Sequence, residues 1–177
     1  MASWSKCKAP NSSLSTEALT ADPSLLEGVL WSKVVKKPPP TWSPPPVGFL
    51  KLNSDGVAST DGKMGIGGVI RNPDGCSLIS FSEHGGYGPP ALAELLAIKK
   101  GVDIFLESRW ATKHRLVIES DCKNVIEWIK GEATRPQAFA SLVSDICLKI
   151  ERFGMVLRLI PRAVNLTADS LAKAGIE

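Results

Sequence analysis

Hydrophobic and polar positions along the chain fall into two regimes. Up to Val47 no helical or strand period is sustained, whereas from Gly48 onward nearly every segment carries one. Phe49 to Ser54 alternates, with Leu50 and Leu52 on one face and Lys51, Asn53 and then Asp55 on the other, which predicts a strand ending at Asp55. Gly65 to Arg71 predicts a second strand, and Asn72-Pro73-Asp74-Gly75 has the residues a turn needs before a third strand over Cys76 to Glu83. Tight turns between neighbours imply an antiparallel meander. After Gly88-Pro89-Pro90 a helix is expected to about Ser108, its apolar stripe being Ala91, Leu95, Ile98, Val102 and Phe105. Arg115 to Glu119 is a short, nearly continuous apolar run, as in a strand buried on both faces. A short helix with Val125, Trp128 and Ile129 follows, then a longer one from about Pro136 to Arg152, a strand over Val156 to Ile160 and a last helix over Asn165 to Ala174. The order β-β-β-α-β-α-α-β-α predicts an α/β domain: a mixed sheet with helices on its faces.

Composition supports a division at this change of regime, into a disordered leader and linker over 1–47 and a folded domain over 48–177. The first 47 residues hold eight of the thirteen prolines and one of the fifteen glycines. The run from Lys36 to Pro46 predicts a stiff polyproline II spacer, with an SH3 or WW ligand as the rarer reading. Met1 to Thr20 is Ser-rich, with Lys6 and Lys8 and no acid before Glu17; a plain tail is the simplest reading, and an organelle transit peptide stays open. No apolar run approaches membrane-helix length and no secretory h-region opens the chain, so an intracellular protein, nuclear or cytoplasmic, with no membrane partner is expected. Cys7, Cys76, Cys122 and Cys147 are scattered without zinc spacing, so reduced thiols are expected.

Four acids resist a purely structural reading. Asp55 closes the first strand, Glu94 falls on the apolar face of its helix, Asp121 stands at the carboxyl end of the buried central strand, and Asp169 shares an inward helix face with Leu166 and Ala172. Taken singly they fit a turn, a helix cap or a buried ion pair. Should the strands of Asp55 and Asp121 be neighbours, all four converge, and like charges so close call for a cation. Oxygen ligands without His or Cys suit Mg²⁺ or Mn²⁺ rather than zinc.

The ordered pieces Lys51-Leu52-Asn53-Ser54-Asp55-Gly56, Gly65 to Arg71, Ala93-Glu94, Glu119-Ser120-Asp121 and Arg162 to Ala172 carry a resemblance. Together they resemble the ribonuclease H domain of type 1, in the form found in plant non-LTR retroelement reverse transcriptases and their stand-alone relatives. The lead-in Trp42 to Gly48 resembles the segment before that domain in the same group, so the resemblance spans Trp42 to about Ala174.

This resemblance implies a five-stranded sheet, three strands antiparallel and then two parallel. It implies hydrolysis of the RNA strand of RNA–DNA hybrids, with Asp55, Glu94, Asp121 and Asp169 holding two Mg²⁺ ions; a monomer is expected. Main-chain groups of Gly56, Val57, Ala58 and Gly65, with the side chains of Arg162 and Asn165, are the candidate substrate contacts; close packing and a solvated arginine are the structural alternatives for the glycines and Arg162. From Gly48 on, sixteen basic residues meet fifteen acidic ones, so metal loading would make the site attractive to phosphate. The seven residues Gly131 to Gln137 leave no room for the extra basic helix of certain relatives, and Pro161 to Val164 holds no His of the kind that aids product release in others. A catalytically inactive, retroelement-derived nucleic-acid-binding module is the alternative function.

Overall fold

The computed structural model describes residues 40–176, so the Ser-rich leader and most of the Pro-rich run lie outside the described residues. Three strands come first: β1 (Phe49–Ala58), β2 (Lys63–Arg71) and β3 (Ser77–Tyr87). Then come α1 (Pro90–Glu107), β4 (Arg115–Ser120), α2 (Lys123–Lys130), α3 (Ala140–Arg152), β5 (Val156–Leu159) and α4 (Leu166–Ala174). They form one five-stranded sheet in the order β3-β2-β1-β4-β5. β1–β2 and β2–β3 pair antiparallel, while β1–β4 and β4–β5 pair parallel. Element order and the three-then-two strand arrangement match the expectation. Among the described residues no helix is long and apolar enough to cross a membrane.

One sheet face carries most of the core. Leu50, Leu52, Ile70, Leu116 and Ile118 meet Leu95, Ile98 and Val102 of α1, Val125 of α2, and Val143 and Ile146 of α3. Burial of these side chains supplies the main folding force. The other face is covered by α4, which lies over two glycines of β2: a Cβ at Gly65 would fall 2.0 Å from the Ala172 carbonyl oxygen, and one at Gly67 2.2 Å from the Ala172 nitrogen. Only a strand without side chains at those positions lets a helix backbone approach so closely.

Three local expectations are corrected. β1 does not end at Asp55 but continues to Ala58, because its antiparallel ladder with β2 persists through Ala58–Met64. The Asp55-Gly56 pair that suggested a turn is instead a packing device, since a Cβ on Gly56 would fall 2.2 Å from the backbone of Ala93 and Glu94 in α1. The helix expected from Pro136 begins with a 3₁₀ turn at Gln137–Phe139, and α3 proper starts at Ala140.

The polar face of β1 is buried as well. Lys51, Asn53 and Asp55 are each no more than 3% exposed. Their cover is α4 together with the lead-in, whose compact unit starts at Pro40. The Trp42 indole donates to Asn53 Oδ1 at 2.9 Å, and the Lys51 ammonium donates to the Ser43 carbonyl at 2.7 Å. Lys51 and Arg71 both sit over the Trp42 ring, 5.3 and 4.9 Å from its centroid. The segment 40–47, assigned by composition to the linker, is thus docked on the sheet.

Candidate active site

The site arises from unequal strand lengths. The β1–β4 ladder stops at Asn53–Glu119, yet β1 runs on to Ala58. Beyond that last pair β1 has a free edge, and the chain leaves β4 at Asp121 on the same level. Asp55 projects beside the opening on the α4 face, opposite Gly67 of β2. Glu94 approaches from α1 one turn past the helix start, where Gly56 allows the helix to touch β1. Asp169 comes from the first turn of α4.

Electrostatics show that these groups share one environment. Burial, then the Asp121 and Asp169 carboxylates, push Asp55 up to about 7. Burial, then Asp55 and Asp121, push Glu94 up to about 9, a rise that the Gly56 N–H partly offsets. Asp55 Oδ2 and Glu94 Oε2 are buried and have no hydrogen-bond partner. Asp169 goes the other way: Lys173 and Arg162 hold it below the usual carboxylate range, through contacts of 2.5 Å to Oδ2 and 2.9 Å to Oδ1. The four acids expected from sequence are therefore brought together.

Hard carboxylate oxygens, two of them buried and unpartnered, are the donor set that Mg²⁺ or Mn²⁺ takes. Among the described residues no three His, Cys, Asp or Glu side chains stand as a ready ligand shell. The reason is visible in the pairing, since Asp169 is drawn to Arg162 and Lys173, and Asp121 Oδ1 accepts from Asn165 Nδ2 at 2.7 Å. Unscreened carboxylates repel, and each takes whatever cation or donor is within reach. The residues fit a divalent ion by chemistry, and Asp55 Oδ2 and Glu94 Oε2 are the buried carboxylate oxygens left without a partner to meet one.

Of the expected substrate contacts, Asn165 is corrected. It is 1% exposed, and its amide bridges the Ser54 carbonyl at 3.0 Å and Asp121. It therefore fixes Asp121 against β1 rather than facing a ligand. Arg162 is largely exposed but engaged with Asp169. Gly56, Val57 and Ala58 continue β1, and Gly65 pairs with Val57 beneath α4.

Sequence reasoning missed the support behind the acids. Lys51 and Glu119 form a buried ion pair at 2.8 Å, and Asn53 Nδ2 donates to Glu119 Oε2 at 3.0 Å. Arg71 donates to Asn53 Oδ1 at 3.3 Å and to Thr167 Oγ1 at 3.0 Å. Asn53 and Glu119 lie two residues before Asp55 and Asp121 on adjacent strands, so strand alternation puts them on the same face as the acids. That spacing was the available signal.

The reverse transcriptase-like family model matches residues 53–175. The chain belongs to the reverse transcriptase-like family. Solved structures place this reverse transcriptase-like domain in the ribonuclease H fold. LC11-RNase H1, isolated from compost by a metagenomic approach, is 21% identical with a TM-score of 0.67, over 73% of this chain and 96% of that one. The same enzyme in complex with an RNA/DNA hybrid gives 20% identity and a TM-score of 0.65, over 72% and 96%. The N-terminal RNase H domain of a Mycobacterium tuberculosis protein, solved as a fusion with maltose-binding protein, gives 22% and 0.62, over 72% and 92%. No curated protein matches the chain.

Proposed function

We propose that the protein is a divalent-metal-dependent endonuclease that hydrolyses the RNA strand of RNA–DNA hybrids, of the type 1 ribonuclease H kind found in plant non-LTR retroelements. The observation that carries this reading is the convergence of Asp55, Glu94 and Asp121 at the gap beyond the β1–β4 ladder, with two buried carboxylate oxygens lacking any donor. Family membership and the fold shared with enzymes that include one solved on a hybrid support it.

In this reading Asp55, Glu94, Asp121 and Asp169 hold two Mg²⁺ ions, or Mn²⁺ in their place. Bound there, the ions would supply activation of a water at the scissile phosphate and charge stabilisation of the departing 3′ oxygen. The protein's own part is positioning. β1 and β4 present Asp55 and Asp121 on rigid strands, Asn165 clamps Asp121 to the Ser54 carbonyl, and Gly56 lets α1 bring Glu94 into range. Arg162 and Lys173 hold Asp169 ionised, the form in which it would serve as a ligand.

The test is cleavage of an end-labelled hybrid with Mg²⁺, beside single-stranded RNA, duplex RNA and duplex DNA. Cutting confined to the RNA strand of the hybrid is expected, and Asp121→Asn lowers it by at least about 100-fold while the protein stays folded. Tight hybrid binding without cleavage, in Mg²⁺ and Mn²⁺ alike, identifies a binding module instead.

A further inference from the structure

Positive charge is unevenly committed over the described surface. Among the described lysines only Lys113 has no carboxylate at ion-pair distance, and among the described arginines only Arg162 has one. Four of the uncommitted cations, Arg109, Lys113, Arg115 and Arg152, gather at one end of the molecule, and all four are exposed. This is where α1 and α3 end and β4 begins.

Contacts tie them into one surface. A cavity of about 330 Å³ is lined by Arg109, Trp110, Lys113 and His114. The Arg109 guanidinium lies 4.9 Å from the Trp110 ring centroid, and the Nδ1 of His114 is buried without a partner. Next along the chain, Arg115 is held by two hydrogen bonds to the Gly154 carbonyl, 3.0 and 2.5 Å long, and lies 5.5 Å from the Phe49 ring centroid. Gly154 follows Phe153, which is 45% exposed and carries the Arg152 guanidinium 5.5 Å from its centroid. Glu107 and Glu151, the acids nearest in sequence, are exposed and paired with none of these cations.

We propose that this surface is a second nucleic-acid site, which grips the phosphate backbone of a strand lying outside the catalytic opening. Guanidiniums alternating with aromatic faces suit a flexible or unpaired strand, where phosphates meet the cations and bases stack on the rings. Arginines oriented by ring faces and by a carbonyl are already ordered, so little side-chain freedom is lost when they bind. Along α1 the site lies about 20 Å from Glu94, at ~1.5 Å per helical residue. It therefore engages nucleic acid beyond the nucleotides at the cut, such as a single-stranded extension of the hybrid. The inference rests on the reading that nucleic acid is the protein's partner, but needs no cleavage.

Fluorescence anisotropy in EDTA, with a labelled 20-nucleotide RNA, a blunt hybrid and a hybrid with a single-stranded extension, tests it. The probe protein is the full chain, as wild type and as the Arg109→Gln/Lys113→Gln double variant, whose changed side chains are exposed. The double variant should bind the RNA and the extended hybrid about tenfold more weakly, with a salt slope shallower by about two. Its melting temperature and its kcat on a blunt hybrid should be unchanged. Arg152→Gln, made separately, should weaken binding in the same direction. Equal affinity and slope for both variants and wild type would overturn the inference even if the enzyme cuts hybrids. A wild type that binds none of the three would overturn it too. Weakened binding in a protein that never cleaves would keep the second site and remove the proposed nuclease reading.

Discussion

At the residue scale, the proposed chemistry turns on two carboxyl groups that the fold makes reluctant to ionise. Asp55 moves from an ordinary 3.8 to about 7 and Glu94 from 4.5 to about 9. Folded protein therefore binds more protons than the unfolded chain across this window, and stability must fall as pH rises through it. A divalent ion replaces the protons and reverses the penalty, in proportion to its preference for the folded state. Thermal melts in EDTA should show a lower Tm at about pH 8.5 than at about pH 5, and saturating Mg²⁺ should raise Tm by about 5 °C at the higher pH and by little at the lower. A Mg²⁺ effect of equal size at both values would mean that Asp55 and Glu94 are not the ligands. Asp169 adds nothing to this trend, because Lys173 and Arg162 keep it charged.

At the element scale, β1 and β4 form a pair whose outer ends carry the candidate acids Asp55 and Asp121 and whose middle carries a buried ion pair. Lys51 lies against the Trp42 ring, and both it and Glu119 are buried where water cannot replace a missing partner. Glu119→Gln alone should cost about 3 kcal/mol in urea unfolding, since it strands the Lys51 ammonium. Lys51→Met/Glu119→Leu should recover much of that loss, because two apolar groups need no counter-charge. Strand alternation made β1 legible and placed Lys51, Asn53 and Asp55 on one face, yet that face was expected to be the polar one. It is buried because its cover comes from Trp42, inside a segment whose prolines report backbone stiffness and say nothing about docking. The glycines carry a similar ambiguity. Gly65 and Gly67 mark a close backbone approach in the sequence, but only the fold shows the visitor to be α4. Glu94 and Asp169 were legible because an acid on an inward helix face needs an explanation, and Asp55 and Asp121 because they stand at strand ends, whereas Asn165 and Glu119 act through partners far away in sequence.

At the scale of the whole molecule, the compact unit among the described residues is the sheet with its lead-in from Pro40, and its boundary has an energetic test. Deleting Met1 to Thr41 should leave the melting temperature and hybrid cleavage unchanged. Deleting Met1 to Val47 removes Trp42 and the Ser43 carbonyl, exposes the Lys51–Asn53 face and should cost about 2–3 kcal/mol by chemical denaturation. Equal stability of the two truncations would return the segment 42–47 to the role of a spacer. Charge is distributed on the same scale, with carboxylates at the opening past β4 and uncommitted cations where α1 and α3 end. A nucleic acid held at both would be anchored at one end of the molecule and cut at the other.

The early stop of β4 at Ser120 also determines which length changes the chain can absorb. One residue inserted between Val117 and Asp121 would flip the remaining side chains of β4 to the opposite sheet face, turning Asp121 away from Asp55. The largely exposed connection 131–137 could lengthen or shorten at little cost. Descendants of this domain can therefore differ widely in the turn before α3 while keeping the distance from Arg115 to Asp121 constant to the residue.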